Sequence, residues 1–198
     1  MRNRIGGVRP TTLRITGRLM KALLTLARAI DKLNERVGRA IRWLVLVTVL
    51  IAATNAIALW LLRDSSNAWI EMQWYLFGAV FLLAAGDTLR HNGHVRVDVL
   101  YTRLSANARA WIDILGSALF LLPLCGLVIW LSWPGFVESF TSGERSPDAG
   151  GLIRWPVRLL IPAGFTLLAL QGIAEMIKRF AFLRGLVALP HEKAVEKI

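Results

Sequence analysis

Four apolar runs, each about as long as a bilayer is thick, constrain this chain more than any other feature. A helix rises about 1.5 Å per residue, so roughly 20 apolar residues cross ~30 Å of hydrocarbon. Residues 43–62 (WLVLVTVLIAATNAIALWLL) hold no charge at all. Residues 69–89 have an apolar centre, WYLFGAVFLLAAG, with Glu71 and Asp87 near its two ends. Residues 111–133 carry only Asp113, close to their start, and residues 155–177 carry Arg158 at entry and Glu175 at exit. None of the four alternates with the period of two of a lipid-facing barrel strand. Backbone in hydrocarbon must also satisfy its own hydrogen bonds, which isolated spans do as helices. The chain therefore reads as an all-α integral membrane protein with four transmembrane helices. Pro123 and Pro162 fall in the third and fourth spans, where each removes a backbone donor and offers a place to kink.

Charge sets the orientation. A formal net charge of +11 would suit a nucleic-acid binder if it were spread over a surface, but the cations cluster at the ends of the apolar runs. Residues 1–42 hold 11 Lys and Arg, the loop 86–110 holds four and the tail 178–198 five. The loops 63–70 and 134–158 hold one and three. Lys and Arg mark the cytoplasmic side of short loops, so both termini are expected in the cytoplasm and the first and third loops outside. Trp43, Trp60, Trp69, Trp111, Trp133 and Trp155 fall at span ends, where indoles anchor at headgroup level. The basic start, MRNRIGGVRPTTLR, leads into no short apolar segment with a small-residue cleavage site, so it does not read as a cleaved signal peptide.

The expected organisation is a basic leader with an amphipathic interfacial helix at 1–40, a four-helix domain at 41–180 and a tail at 181–198. Within 13–40, helical spacing gathers Leu19, Leu23, Ala27, Ile30 and Val37 on one side. Arg14, Arg18, Lys21, Arg28, Lys32, Arg36 and Arg39 gather opposite. That pattern fits a helix lying on an anionic leaflet. Nucleic acid is the rival reading, but no aromatic residues interleave with the cations.

Ionisable groups inside a span cost about 2.5–3.5 kcal/mol on insertion scales, so each calls for a role. Glu71, one turn inside the outer face, can reach water, bind a cation, or pair with Arg63 or a partner chain. Asp113 can meet Arg109 four residues earlier on the same helix. Thr48, Thr54, Asn55 and Gln171 can hydrogen-bond between helices. His91, His94 and Asp98 raise the question of a metal, but the spacing matches no familiar site and arginines flank them. The lone Cys125 excludes a disulfide framework. No Ser/His/Asp or Cys/His set and no glycine-rich phosphate loop appears, so neither a catalytic residue nor a cofactor is expected.

The stretch WIEMQWYLFGAVFLLAAGDTLRHNGHVRVDVLYTRLS resembles the small permease subunit, DctQ-like, of tripartite ATP-independent periplasmic (TRAP) transporters. The residues that carry the likeness are Trp69, Glu71, Gly78, Arg90, His94, Arg96, Val97 and Asp98, in that order. SGERSPDAGGLIRWPVRLLIPAGFTLLALQG is similar to the same family. The resemblance implies a secondary transporter for organic acids, driven by a sodium or proton gradient, in the bacterial inner membrane. A large permease subunit would carry the substrate and ion sites, and a periplasmic solute-binding protein would deliver the substrate. This chain would be the scaffold. Glu71, Trp74, Arg90, His94, Arg96 and Asp98 would fix helices and subunit contacts; Glu138, Glu144, Arg145 and Asp148 would face the binding protein. Two other classes stand beside this reading. A free-standing carrier or channel predicts transport by this chain alone, and a non-transporting membrane anchor predicts none.

Overall fold

The computed structural model describes residues 10–63, 66–91 and 104–187, with side chains from residue 18 onward except residue 62. Those residues form four helices: α1 (Pro10–Leu62), α2 (Asn67–Arg90), α3 (Ala106–Ser142) and α4 (Trp155–Leu183). Each is long and apolar enough to cross a membrane. α4 is the common partner, packing against α1, α2 and α3, while α1 and α2 also pack on one another.

Small residues on α4 make its central place possible. A Cβ at Gly164 would lie 2.7 Å from the Leu82 carbonyl oxygen of α2, and one at Gly172 would lie 2.7 Å from Leu121 Cδ2 of α3. Where lipid competes equally for apolar side chains, such close approach lets dispersion hold helices together. Large apolar side chains face outward instead. Trp60 is 81% exposed, Phe120 75% and Trp130 72%, as expected of surface meant for lipid or a partner chain.

Local chemistry sets the helix ends. Ser66 and Ser105 precede α2 and α3 in extended conformation, and the Ser105 hydroxyl accepts from the Ala108 N–H at 3.3 Å. α3 ends at Gly143, whose φ of 62° is the left-handed cap geometry that glycine adopts without strain. Within α3, Ser117–Leu121 is a π-turn. Pro123 follows two residues later and has no N–H for the Leu119 carbonyl. The local register accommodates this proline by widening the preceding turn.

α1 differs from the sequence expectation. It is one unbroken helix of 53 residues, about 80 Å long, with no interruption between the leader and the span. In its leader half Met20, Ala27, Asn34 and Ile41, spaced by seven, are buried with Ile30. Ala27 and Ile30 meet Ala174, with Leu170 and Ile177 beside them. The apolar side read from the sequence is therefore divided, with Ala27 and Ile30 taken by α4 and Leu19 left 62% exposed.

Candidate functional site

Polar chemistry gathers at the two ends of the bundle. At one end, α1, α2 and α4 meet in a belt of carboxylates, amides and cations. Asn34 of α1 and Gln171 of α4 are both fully buried, and Asn34 Nδ2 donates to Gln171 Oε1 at 2.9 Å. Gln171 Nε2 in turn donates to Asp31 Oδ1 at 2.7 Å and Glu175 Oε1 at 3.2 Å. Lys178 Nζ closes the circuit, 3.0 Å from Asp31 and 2.6 Å from Glu175. Each amide thus satisfies a group that would be costly to bury alone. Gly86 of α2 leaves the room that Asn34 occupies, and Gly38 of α1 does the same for Asp87.

Arg90 ends α2 beside this circuit. Its guanidinium pairs with Asp87 at 3.0 Å and Glu35 of α1 at 3.5 Å, and Glu35 also holds Arg39 at 3.1 Å. His91 Nδ1 faces the Asp87 carbonyl at 2.9 Å. Farther along, Arg179 of α4 meets Asp113 of α3 at 3.3 Å, and the Arg179 side chain is only 9% exposed. Arg109 Nε donates to the Leu104 carbonyl at 2.9 Å. The expected inter-helix role of Gln171 is therefore present, with Asn34 as its partner. Thr48 instead turns its hydroxyl back to the Leu44 carbonyl of its own helix at 2.8 Å.

At the opposite end, residues 143–154 fold into a short hairpin through an isolated bridge between Arg145 and Ile153. The Ser146 N–H donates to the Leu152 carbonyl, and the Arg154 N–H to the Glu144 carbonyl, both at 2.9 Å. Two residues of α2 pin this hairpin. Asn67 Nδ2 donates to the Ala149 carbonyl at 3.2 Å, and Glu71 Oε2 accepts from the Leu152 N–H at 2.7 Å. Arg158 ties it to α4, its Nη2 2.7 Å from Glu144 Oε1, and Arg154 within the hairpin places Nη1 3.4 Å from the same oxygen. Arg158 also donates to the Gly135 carbonyl of α3 at 3.0 Å. Partial burial works against ionised Glu144, but the Ser139 and Arg154 side chains and the charges of Arg158 and Arg154 outweigh it. The carboxyl stays below its ordinary value. Beneath the hairpin lies an open cleft of about 530 Å³ lined by Glu71, Trp74, Tyr75, Asp148, Arg154 and Arg158. Trp133, Phe136, Phe140 and Trp155 form a chain of ring contacts between α3 and α4, with centroids 5.5–6.0 Å apart.

The residues singled out from the sequence thus part company. Glu71 and Trp74 share the cleft with Asp148, while Arg90 sits in the belt at the other end. Glu144 turns its carboxylate inward to two arginines, whereas Glu138, Arg145 and Asp148 are exposed. His94, Arg96 and Asp98 lie outside the described residues. Among the described residues, no group of three or more His, Cys, Asp or Glu side chains could hold a metal ion. The sequence reading passed over Asp31, Asn34, Glu35, Lys178 and Arg179. Their signal was present: Gln171, Glu175, Lys178 and Arg179 repeat at helical spacing, and Asp31, Asn34 and Glu35 interrupt a basic helix on one face.

A protein-family model described as "Tripartite ATP-independent periplasmic transporters, DctQ component" matches residues 60–182, which take in the last turn of α1 and nearly all of α2, α3 and α4. No curated protein and no solved structure matches the chain.

Proposed function

Because the chain belongs to the DctQ family of tripartite ATP-independent periplasmic transporters, we propose that it is the static scaffold on which a large permease subunit works. The observation that carries this reading is the family match over residues 60–182. The geometry supports it: the belt spends Asp31, Asn34, Gln171, Glu175 and Lys178 on one another, which suits a rigid brace better than a substrate path. In this reading the permease carries an organic acid with sodium or protons, and a periplasmic solute-binding protein delivers it. The chain lies in the bacterial inner membrane with both termini in the cytoplasm, so the belt faces the cytoplasm and the 143–154 hairpin faces the periplasm.

Roles follow for the residues named from the sequence. Glu71 and Trp74 shape the seat of the hairpin, and Glu138, Arg145 and Asp148 present charge to the binding protein, with Glu144 holding the hairpin from within. Arg90 fixes the end of α2, and His94, Arg96 and Asp98, which follow it in sequence, have the role of contacting the permease. Arg36, Arg39 and Arg42, just before Trp43, meet anionic headgroups where α1 enters the leaflet.

The test is purification of the tagged chain from its native membrane in mild detergent, with mass spectrometry of what accompanies it. Near-equimolar recovery of a large polytopic permease supports the scaffold. A chain that comes down alone, and transports when reconstituted alone, overturns it.

A further inference from the structure

The cleft beneath the 143–154 hairpin is lined by charged groups that the fold leaves partly unsatisfied. Its two arginines differ. Arg158 gives its guanidinium to Glu144 and to the Gly135 carbonyl. The Arg154 side chain is 42% exposed and makes only a 3.4 Å contact to Glu144 among the described residues. A guanidinium carries five N–H donors, so most of those of Arg154 stay open. In the same cleft, the exposed Asp148 carboxylate has neither a hydrogen bond nor an ion pair among the described residues. Glu71 accepts from the Leu152 N–H but forms no ion pair among them. Tyr75 adds a hydroxyl with no hydrogen bond among them. Open cationic donors and open anionic acceptors thus share a cleft of about 530 Å³, a volume typical of a small-molecule site.

We propose that this cleft binds the headgroup of a zwitterionic phospholipid with a primary amine, its phosphate on Arg154 and its ammonium on Asp148 and Glu71. Depth supports a lipid. The cleft is built from the first turns of α2 and α4, beside Trp69 and Trp155, which is the headgroup level of a spanning helix. Ile70, Trp74, Phe77 and Phe81 fall within about 60° of one another around α2. They are 42%, 70%, 64% and 71% exposed. Ile70 and Trp74 belong to both the cleft and this stripe, so an acyl chain can leave the one along the other. From Ile70 to Phe81 the stripe runs about 16 Å, one leaflet's share of ~30 Å of hydrocarbon. Charge selects the headgroup. A glycerol headgroup offers Asp148 and Glu71 no cation, and the methyl groups of choline leave no N–H to donate to them. A protein side chain of one sign satisfies either Arg154 or the carboxylates and leaves the other set open. A lipid here depends only on the chain spanning the bilayer, whichever partner it braces.

The test adds phosphatidylethanolamine, phosphatidylglycerol and phosphatidylcholine with the same acyl chains, in equal amounts, to the full chain delipidated in mild detergent. Native mass spectrometry then counts the lipids retained. Phosphatidylethanolamine is expected to be retained at least fivefold over each of the others. Asp148→Asn, which removes a carboxylate that supports no contact in the fold, should bring the three closer to level. Arg154→Gln, in which Arg158 still holds Glu144, should lower all three. In nanodiscs of phosphatidylethanolamine, protease should cut the 143–154 hairpin several-fold more slowly than in nanodiscs of phosphatidylcholine, and Asp148→Asn should shrink that difference. Equal retention of the three lipids, or a preference that survives Asp148→Asn unchanged, overturns the site. Soluble phosphoethanolamine that protects the hairpin as well as the lipid does overturns the lipid as occupant. Protection that appears only with a permease or binding protein bound overturns it in favour of a protein.

Discussion

Replacing Gln171 with leucine asks how much the belt contributes. The two side chains have nearly the same volume, so the substitution removes hydrogen bonds without opening a large cavity. Gln171 is fully buried and makes three contacts, at 2.9 Å to Asn34, 2.7 Å to Asp31 and 3.2 Å to Glu175. Asp31 and Glu175 keep Lys178 and are partly exposed, so water makes up part of their loss. Asn34 has no such relief. Its remaining contacts, to the Ile30 and Leu167 carbonyls, are both at 3.5 Å, the far edge of useful geometry. A buried amide left that poorly paired costs about 1–3 kcal/mol, and the weakened carboxylate bonds add about 1 kcal/mol more. Gln171→Leu should therefore destabilise the chain by about 2–4 kcal/mol, read as loss of helicity on denaturant titration in mixed micelles. The double variant Asn34→Leu with Gln171→Leu should recover at least about 1 kcal/mol, because removing both partners leaves no orphan. A single variant within about 0.5 kcal/mol of the parent would refute the reasoning, as would a double variant that costs the full sum.

Other perturbations separate packing from electrostatics. Gly164→Ala pushes a Cβ to 2.7 Å from the Leu82 carbonyl oxygen and should cost about 1–3 kcal/mol in thermal melting. Gly126→Ala, which meets nothing within 4 Å, should be neutral or mildly stabilising; equal effects would discredit the account of α4 packing. Glu71→Ala removes the acceptor of the Leu152 N–H, so protease should cut the 143–154 hairpin several-fold faster while the bundle melts unchanged. Equal cutting rates would show the hairpin is held by other contacts. Because the Glu144 carboxyl is held below its ordinary 4.5, its stabilisation is complete above that pH and fades as pH falls through the lower folded value. Hairpin protection should decline in that window for the parent, and Glu144→Gln should flatten the decline.

The existence and number of the spans were legible because hydrocarbon thickness fixes a length and desolvation forbids charge within it. The spans read at 43–62, 69–89, 111–133 and 155–177 fall inside helices ending or running at Leu62, Asn67–Arg90, Ala106–Ser142 and Trp155–Leu183. The family was legible for a related reason: Trp69, Glu71 and Arg90 are few and stand out against an apolar background. What only the tertiary structure decided is which polar residues meet. Asn34 and Gln171 are 137 residues apart in sequence and 2.9 Å apart in space, and nothing local couples them. Hydropathy also could not tell that α4 covers Ala27 and Ile30 of α1 and leaves Leu19, Leu26 and Leu33 exposed. A helical period says that side chains share a face; which face is covered depends on the crossing of two helices, and glycines such as Gly164 and Gly86 set how close that crossing comes.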